Sequence, residues 1–115
     1  MAVTFRLSRV GILLSPAEEH RVRRHLSGLG RRLGHRPDPV VTLTVTGQAR
    51  RQEVTAALRV NLGPLGPTLN SSQVAKTPDH AARLAVEAIE RQLERREASQ
   101  RREETYGVPS RRRTM

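Results

Sequence analysis

The stretch VVTLTVTG, Val40–Gly47, decides the fold. It alternates without a break, with Val41, Leu43 and Val45 on one side and Thr42, Thr44 and Thr46 on the other. A period of two is strand geometry, and the threonine side tolerates water whereas the aliphatic side needs a cover. A sheet with one wet face is characteristically antiparallel. The flanking sequence must therefore supply partner strands and a covering layer.

Downstream, GQARRQE reads as a hairpin connection tipped by Arg50 and Arg51. VTAALRVNL then alternates again: Val54, Ala56, Leu58, Val60 and Leu62 inward, Thr55, Arg59 and Asn61 outward. GPLGP is turn chemistry. TLNSSQVAK is a weaker strand, polar enough to be a sheet edge. Upstream, VTFRLS sets Val3, Phe5 and Leu7 against Thr4, Arg6 and Ser8, a further half-buried strand.

Two helices complete the cover. In LSPAEEH, Ser15 is placed to cap, Pro16 suits the first helical position, and Glu18 three residues on completes a capping box. Val22, Leu26, Leu29 and Leu33 follow at helical spacing, and Gly34 and Pro37 end the run. Thr77 is the expected cap of the last helix, which carries Val86, Ile89 and Leu93. The order is βαβββα: an α+β two-layer sandwich, two helices on one face of a four-stranded sheet. At 115 residues one domain is expected, spanning 1–104. The segment 105–115, with Gly107, Pro109 and an arginine run, is expected to be a disordered basic tail.

Charge dominates the composition. Twenty-one basic residues against 11 acidic ones give +10, and 20 of the 21 are arginine. Such a field attracts polyanions, and the guanidinium fork fits phosphate oxygens. An Arg- and Ala-rich surface is also what a GC-rich genome writes at ordinary solvated positions. Residues 79–115 carry nine arginines and seven acids, a net +2, so +8 lies before Asp79. The field thus centres on the first helix and the hairpin.

Phe5 and Tyr106 are the only aromatics, which excludes an aromatic stacking platform for single-stranded bases. There is no cysteine, hence no disulfide or thiolate chemistry. No apolar run approaches the roughly 18–20 residues that span a bilayer, and no signal peptide opens the chain. The four histidines lack metal-ligand spacing. No nucleophile elbow, phosphate loop or carboxylate pair occurs. The expectation is a soluble cytoplasmic binding protein, not an enzyme, with no cofactor, metal, small-molecule substrate or membrane partner.

At LSPAEEHRVRRHLSGL (14–29), VTLTV (41–45) and AIERQLERR (88–96), in that order, the chain resembles the ribosome hibernation-promoting factors, the ribosome-associated inhibitor A family. The resemblance covers roughly Val3 to Arg102. It implies the βαβββα fold and binding to the small ribosomal subunit near the decoding region. There a bound member excludes tRNA and mRNA and holds ribosomes inactive during stress or stationary phase. It further implies that basic residues on both helices contact rRNA phosphates. The chain looks like the short form, without the additional domain that pairs ribosomes into dimers. Where members usually open the second helix with an acidic, apolar and aromatic segment, this chain has Asp79-His80 and no aromatic. Glu19 and Gly28 stand at first-helix positions that are often basic.

Candidate RNA-binding residues follow. Arg21, Arg24, Arg31 and Arg32 form the outward ridge of the first helix, which a merely solvated face would also produce. Arg91 and Arg95 match basic positions of the family on the second helix. Arg50 and Arg51 at the hairpin tip could serve a second phosphate strand or simply solubility. Arg59 is a groove contact or a partner for Glu53. On the second helix, Glu87–Arg91 and Glu97–Arg101 are expected four-residue ion pairs. Two other function classes remain: a double-stranded RNA-binding module, which shares a helix–three strands–helix core, and a protein-interaction adaptor. The first would open its last helix with a Lys/Arg cluster, where this chain places Asp79-His80.

Overall fold

A computed structural model of the chain describes residues 3–48, 50, 52–64 and 66–113, with side chains as far as residue 99. The elements are β1 (Thr4–Val10), α1 (Pro16–Leu33), β2 (Val40–Gln48), β3 (Glu53–Asn61), β4 (Thr68–Ala75) and α2 (Pro78–Arg113). This is the βαβββα order read from the sequence, with one sheet in the order β1-β2-β3-β4. β1 lies parallel to β2, while β2, β3 and β4 form an antiparallel meander.

The strand register turns the alternation into rows. Phe5, Val41, Val60 and Leu69 form one row under the helices, and Leu7, Leu43, Leu58 and Ser71 the next. Rows on the other face read Arg6–Thr42–Arg59–Asn70 and Ser8–Thr44–Ala57–Ser72. Every aliphatic residue assigned inward on β2 and β3 is buried, together with Val22, Leu26, Leu29 and Leu33 of α1. Ser71 is a polar residue on the covered face, and its hydroxyl donates to the Ala85 carbonyl of α2 at 2.8 Å. A hydroxyl at a helix–sheet contact keeps its place when it finds such an acceptor.

Both helix starts form as their sequences require. The Ser15 hydroxyl accepts from the Glu18 amide at 3.1 Å, and the Glu18 carboxylate accepts from the Ser15 amide at 2.9 Å. The Thr77 hydroxyl accepts from the His80 amide at 3.1 Å. α1 ends at Leu33, and Gly34 keeps a right-handed conformation. The chain then turns at Asp38, φ 47°. Small residues set the helix–sheet distances. A Cβ on Gly30 would stand 2.5 Å from the Phe5 Cζ, so α1 rests directly on that ring. Ala81, Ala82 and Ala85 are buried where α2 lies over β3 and β4.

Two departures from expectation concern edges. β1 is less covered than its alternation suggested, with Phe5 38% exposed, because an outer strand meets only the flank of α1. α2 is helical through Arg113, where composition led us to expect a disordered tail from residue 105. A run rich in Ala, Arg, Glu and Gln favours helix up to that point. A helix of 36 residues measures about 54 Å, which accounts for a long axis of 59 Å against transverse extents of 31 and 19 Å.

Candidate functional site

Register places the chain's connections at two ends of the sheet. β1 and β2 end together, Gln48 faces Glu53, and Val54 pairs with Ala75. The β2–β3 turn, the close of β4 and the starts of both helices therefore share one end. Arg50 lies exposed in that turn; Arg51 falls outside the described residues. From this end α1 and α2 run side by side in the same direction. His25 touches Asp79 at the start of α2, and Arg32 reaches Glu94 and Glu97 further on.

The three- and four-residue steps from Arg21 to Arg24, Gly28 and Arg31 follow one outward row of α1. Beside this row the side chains of Arg21, Arg24, His25 and Arg31, with Asp79 from α2, line an open concavity of about 340 Å³. His25 Nε2 lies 2.6 Å from Asp79 Oδ1, and Arg21 Nε lies 3.9 Å from Asp79 Oδ2. Among the described residues Arg24 and Arg31 enter no ion pair. Three guanidinium groups and an imidazole thus meet on a surface with one carboxylate. Converging fork-shaped donors of this kind suit a tetrahedral oxyanion such as a phosphodiester.

Arg32, grouped with these three on sequence grounds, is placed differently. Its guanidinium bridges Glu94 and Glu97 across the helix seam, at 3.4 Å to each. Glu97 meets Arg32; the expected Glu97–Arg101 pair depends on the Arg101 side chain, which lies outside the described residues. Among the described residues no Glu87–Arg91 or Glu53–Arg59 ion pair forms. Glu53 and Arg59 are six residues apart on one extended strand, too far to meet. Arg23 is drawn to Glu19 at 3.2 Å, and Arg9 pairs with the same carboxylate.

Arg91 and Arg95 are exposed and project from the side of α2 opposite buried Leu93. They stand about 18–24 Å along the helix from Asp79, a separate cationic spot on the same helix layer. Arg59 belongs to the open sheet face, beside Thr42 and Asn70.

His25 and Asp79 are the cleft residues that sequence reasoning did not select. Asp79-His80 was visible as an acidic helix start, but its partner lies 54 positions away and no local pattern joins them. Among the described residues, no group of three His, Asp or Glu could hold a metal ion, and no helix is long and apolar enough to cross a membrane.

No protein-family model matches the chain, and no curated protein matches it in sequence. Solved structures do match it in fold. The N-terminal domain of Thermus thermophilus Protein Y superposes with a TM-score of 0.63 at 17% identity, covering 83% of this chain and 98% of that one. A ribosomal subunit interface protein from Coxiella burnetii gives the same four figures. At that identity the likeness establishes a shared fold across the whole of both neighbours.

Proposed function

We propose that this protein is a ribosome-associated translation inhibitor, a hibernation factor that binds rRNA of the small ribosomal subunit near the decoding region. Bound there, it excludes tRNA and mRNA by occupying their path; it catalyses nothing and needs no cofactor. The observation that carries this is the convergence of Arg21, Arg24 and Arg31 on one open cleft between the helices. The cleft belongs to a fold shared with a ribosomal subunit interface protein. The motifs at 14–29, 41–45 and 88–96 support the same assignment.

Each part of the surface then has a role. The cleft grips a phosphate, and Arg91 and Arg95 touch the backbone further along the helix layer. Arg50, at the end where both helices start, serves as an outlying contact, and Arg51, next to it in sequence, as a further one. Arg32 holds the two helices in register. Affinity on this scheme is mostly counterion release, and falls steeply as salt rises. The site of action is the cytoplasm, under stress or in stationary phase. A double-stranded RNA-binding mode would grip phosphates with cations opening the last helix; Asp79 occupies that place here.

Sedimentation of stationary-phase lysate through sucrose, at low and at high salt, tests the proposal. Co-migration with small subunits or whole ribosomes, lost at high salt, is the expected result. A protein that stays at the top of the gradient at low salt overturns it.

A further inference from the structure

We infer that the Asp79 carboxylate is the resident anion of the arginine cleft, and that an incoming RNA phosphate binds by displacing it from Arg21 and His25. This rests on the assignment of the cleft as a phosphate site.

Asp79 stands in the first turn of α2, where the helix dipole favours a carboxylate, but it does not cap the helix. It occupies the second position of α2, and the cap is supplied by Thr77, whose hydroxyl takes the N–H of the next residue, His80, at 3.1 Å. The Asp79 side chain instead crosses to the other helix. Its hold is limited: one contact to His25 at 2.6 Å and a looser approach to Arg21 at 3.9 Å, with 40% of the side chain still in water. A carboxylate so placed is neither buried nor locked. It can rotate away when a stronger anion arrives.

The charge arrangement explains why an anion belongs there. Arg21, Arg24 and Arg31 repel one another, and in the free protein Asp79 offsets part of that repulsion from across the seam. A phosphodiester entering the cleft brings a second negative charge next to the first. Arg24 and Arg31, free of ion pairs among the described residues, make first contact. Arg21 and His25 then exchange carboxylate for phosphate.

The exchange sets a preference among ligands. A lone phosphate ion meets a cleft already partly neutralised and gains little by replacing one anion with another. A polynucleotide is different, because its neighbouring phosphates are held at Arg50, Arg91 and Arg95 while one of them competes at the cleft. Simultaneous contacts raise its local concentration there. Asp79 thus biases the surface toward extended polyanions and against single ones.

The test is binding of the full chain to isolated bacterial small ribosomal subunits, followed between about 50 and 200 mM salt. Asp79→Asn and Asp79→Ser are compared with the unaltered protein, with thermal unfolding recorded for each. Both variants are expected to bind several-fold tighter at low salt. Their slope of log K against log salt should be steeper, since no displaced carboxylate draws a cation back as the phosphate enters. Binding that is unchanged or weaker in folded variants, with the slope unmoved, overturns the inference. Arg24→Gln combined with Arg31→Gln separates the two levels of failure. If that pair binds as the unaltered protein does, the cleft is not the phosphate site and both assignments fall. If it binds weakly while the Asp79 variants gain nothing, only the displacement is wrong.

Discussion

The cleft makes a quantitative claim on salt dependence. Arg21, Arg24 and Arg31 line it, whereas Arg32 is spent on Glu94 and Glu97. Each phosphate neutralised on double-stranded nucleic acid contributes roughly 0.9 to the slope of log K against log salt. Changing Arg21, Arg24 and Arg31 together to Gln should therefore flatten the slope by about 0.9, the share of the one phosphate the cleft grips. Over a fourfold rise in salt, from 50 to 200 mM, that amounts to about 3.5-fold: the unaltered protein loses about 3.5 times more of its affinity over that range than the variant does. Arg32→Gln should leave the slope where it was, since its guanidinium is already neutralised within the protein. Filter binding or sedimentation with purified small subunits across a salt series gives both numbers. A flattening by Arg32→Gln as large as the cleft variant's would show that the seam, not the cleft, meets the RNA. An unmoved slope in the triple variant would refute the cleft altogether. Glutamine is the better replacement here, because reversal at position 32 also disturbs the fold.

That disturbance is itself measurable: Arg32→Glu sets a third carboxylate against Glu94 and Glu97, and denaturant unfolding at low salt should register a loss of about 1 kcal/mol that shrinks as salt is added. Ile89→Ala removes a side chain with no exposed surface and should cost about 2–5 kcal/mol in the same assay; a loss below about 1 kcal/mol would mean that α2 is not anchored on the sheet through that residue. Ser15→Ala deletes the hydroxyl half of the α1 capping box and should cost about 1 kcal/mol, with helical circular dichroism at moderate denaturant falling in step; an unaffected midpoint would show that Glu18 alone closes the helix.

Most of the architecture was legible because it rests on local pattern. The threonine and aliphatic alternation of Val40–Thr46 fixes a face for each residue, and the Ser15–Glu18 capping box and the Thr77 cap fix where helices start. The exposure of β1 was not legible, since Val3, Phe5 and Leu7 alternate like any half-buried strand. Only its place outside β2 reveals that a single helix flank covers it. The site was legible in part for the same reason. A three- and four-residue arginine row on α1 can be read from spacing. That Arg32 would turn to the seam depends on Glu94 and Glu97, 62 and 65 positions away. The role of Asp79 depends equally on His25, and single-sequence periodicity carries nothing about either encounter.

Those separations bear on how the chain acquires its cleft. The β2–β3–β4 meander closes through short turns, and α2 follows β4 almost at once. β1 and β2 pair at a constant offset of 36 residues, and the α1–α2 contacts close loops of 54 to 65. Loop-closure entropy grows with length, so the contacts that bring Arg21 and His25 up to Asp79 are assembled late and are among the first to loosen. A chain with its meander formed but α1 undocked would keep much of its secondary structure and lack the arrangement of charges proposed to hold a phosphate. RNA bound as proposed would, conversely, favour the fully docked topology by mass action. The partner would act as a latch on the final folding step, stabilising the contacts between α1 and α2 because it is bound where they meet.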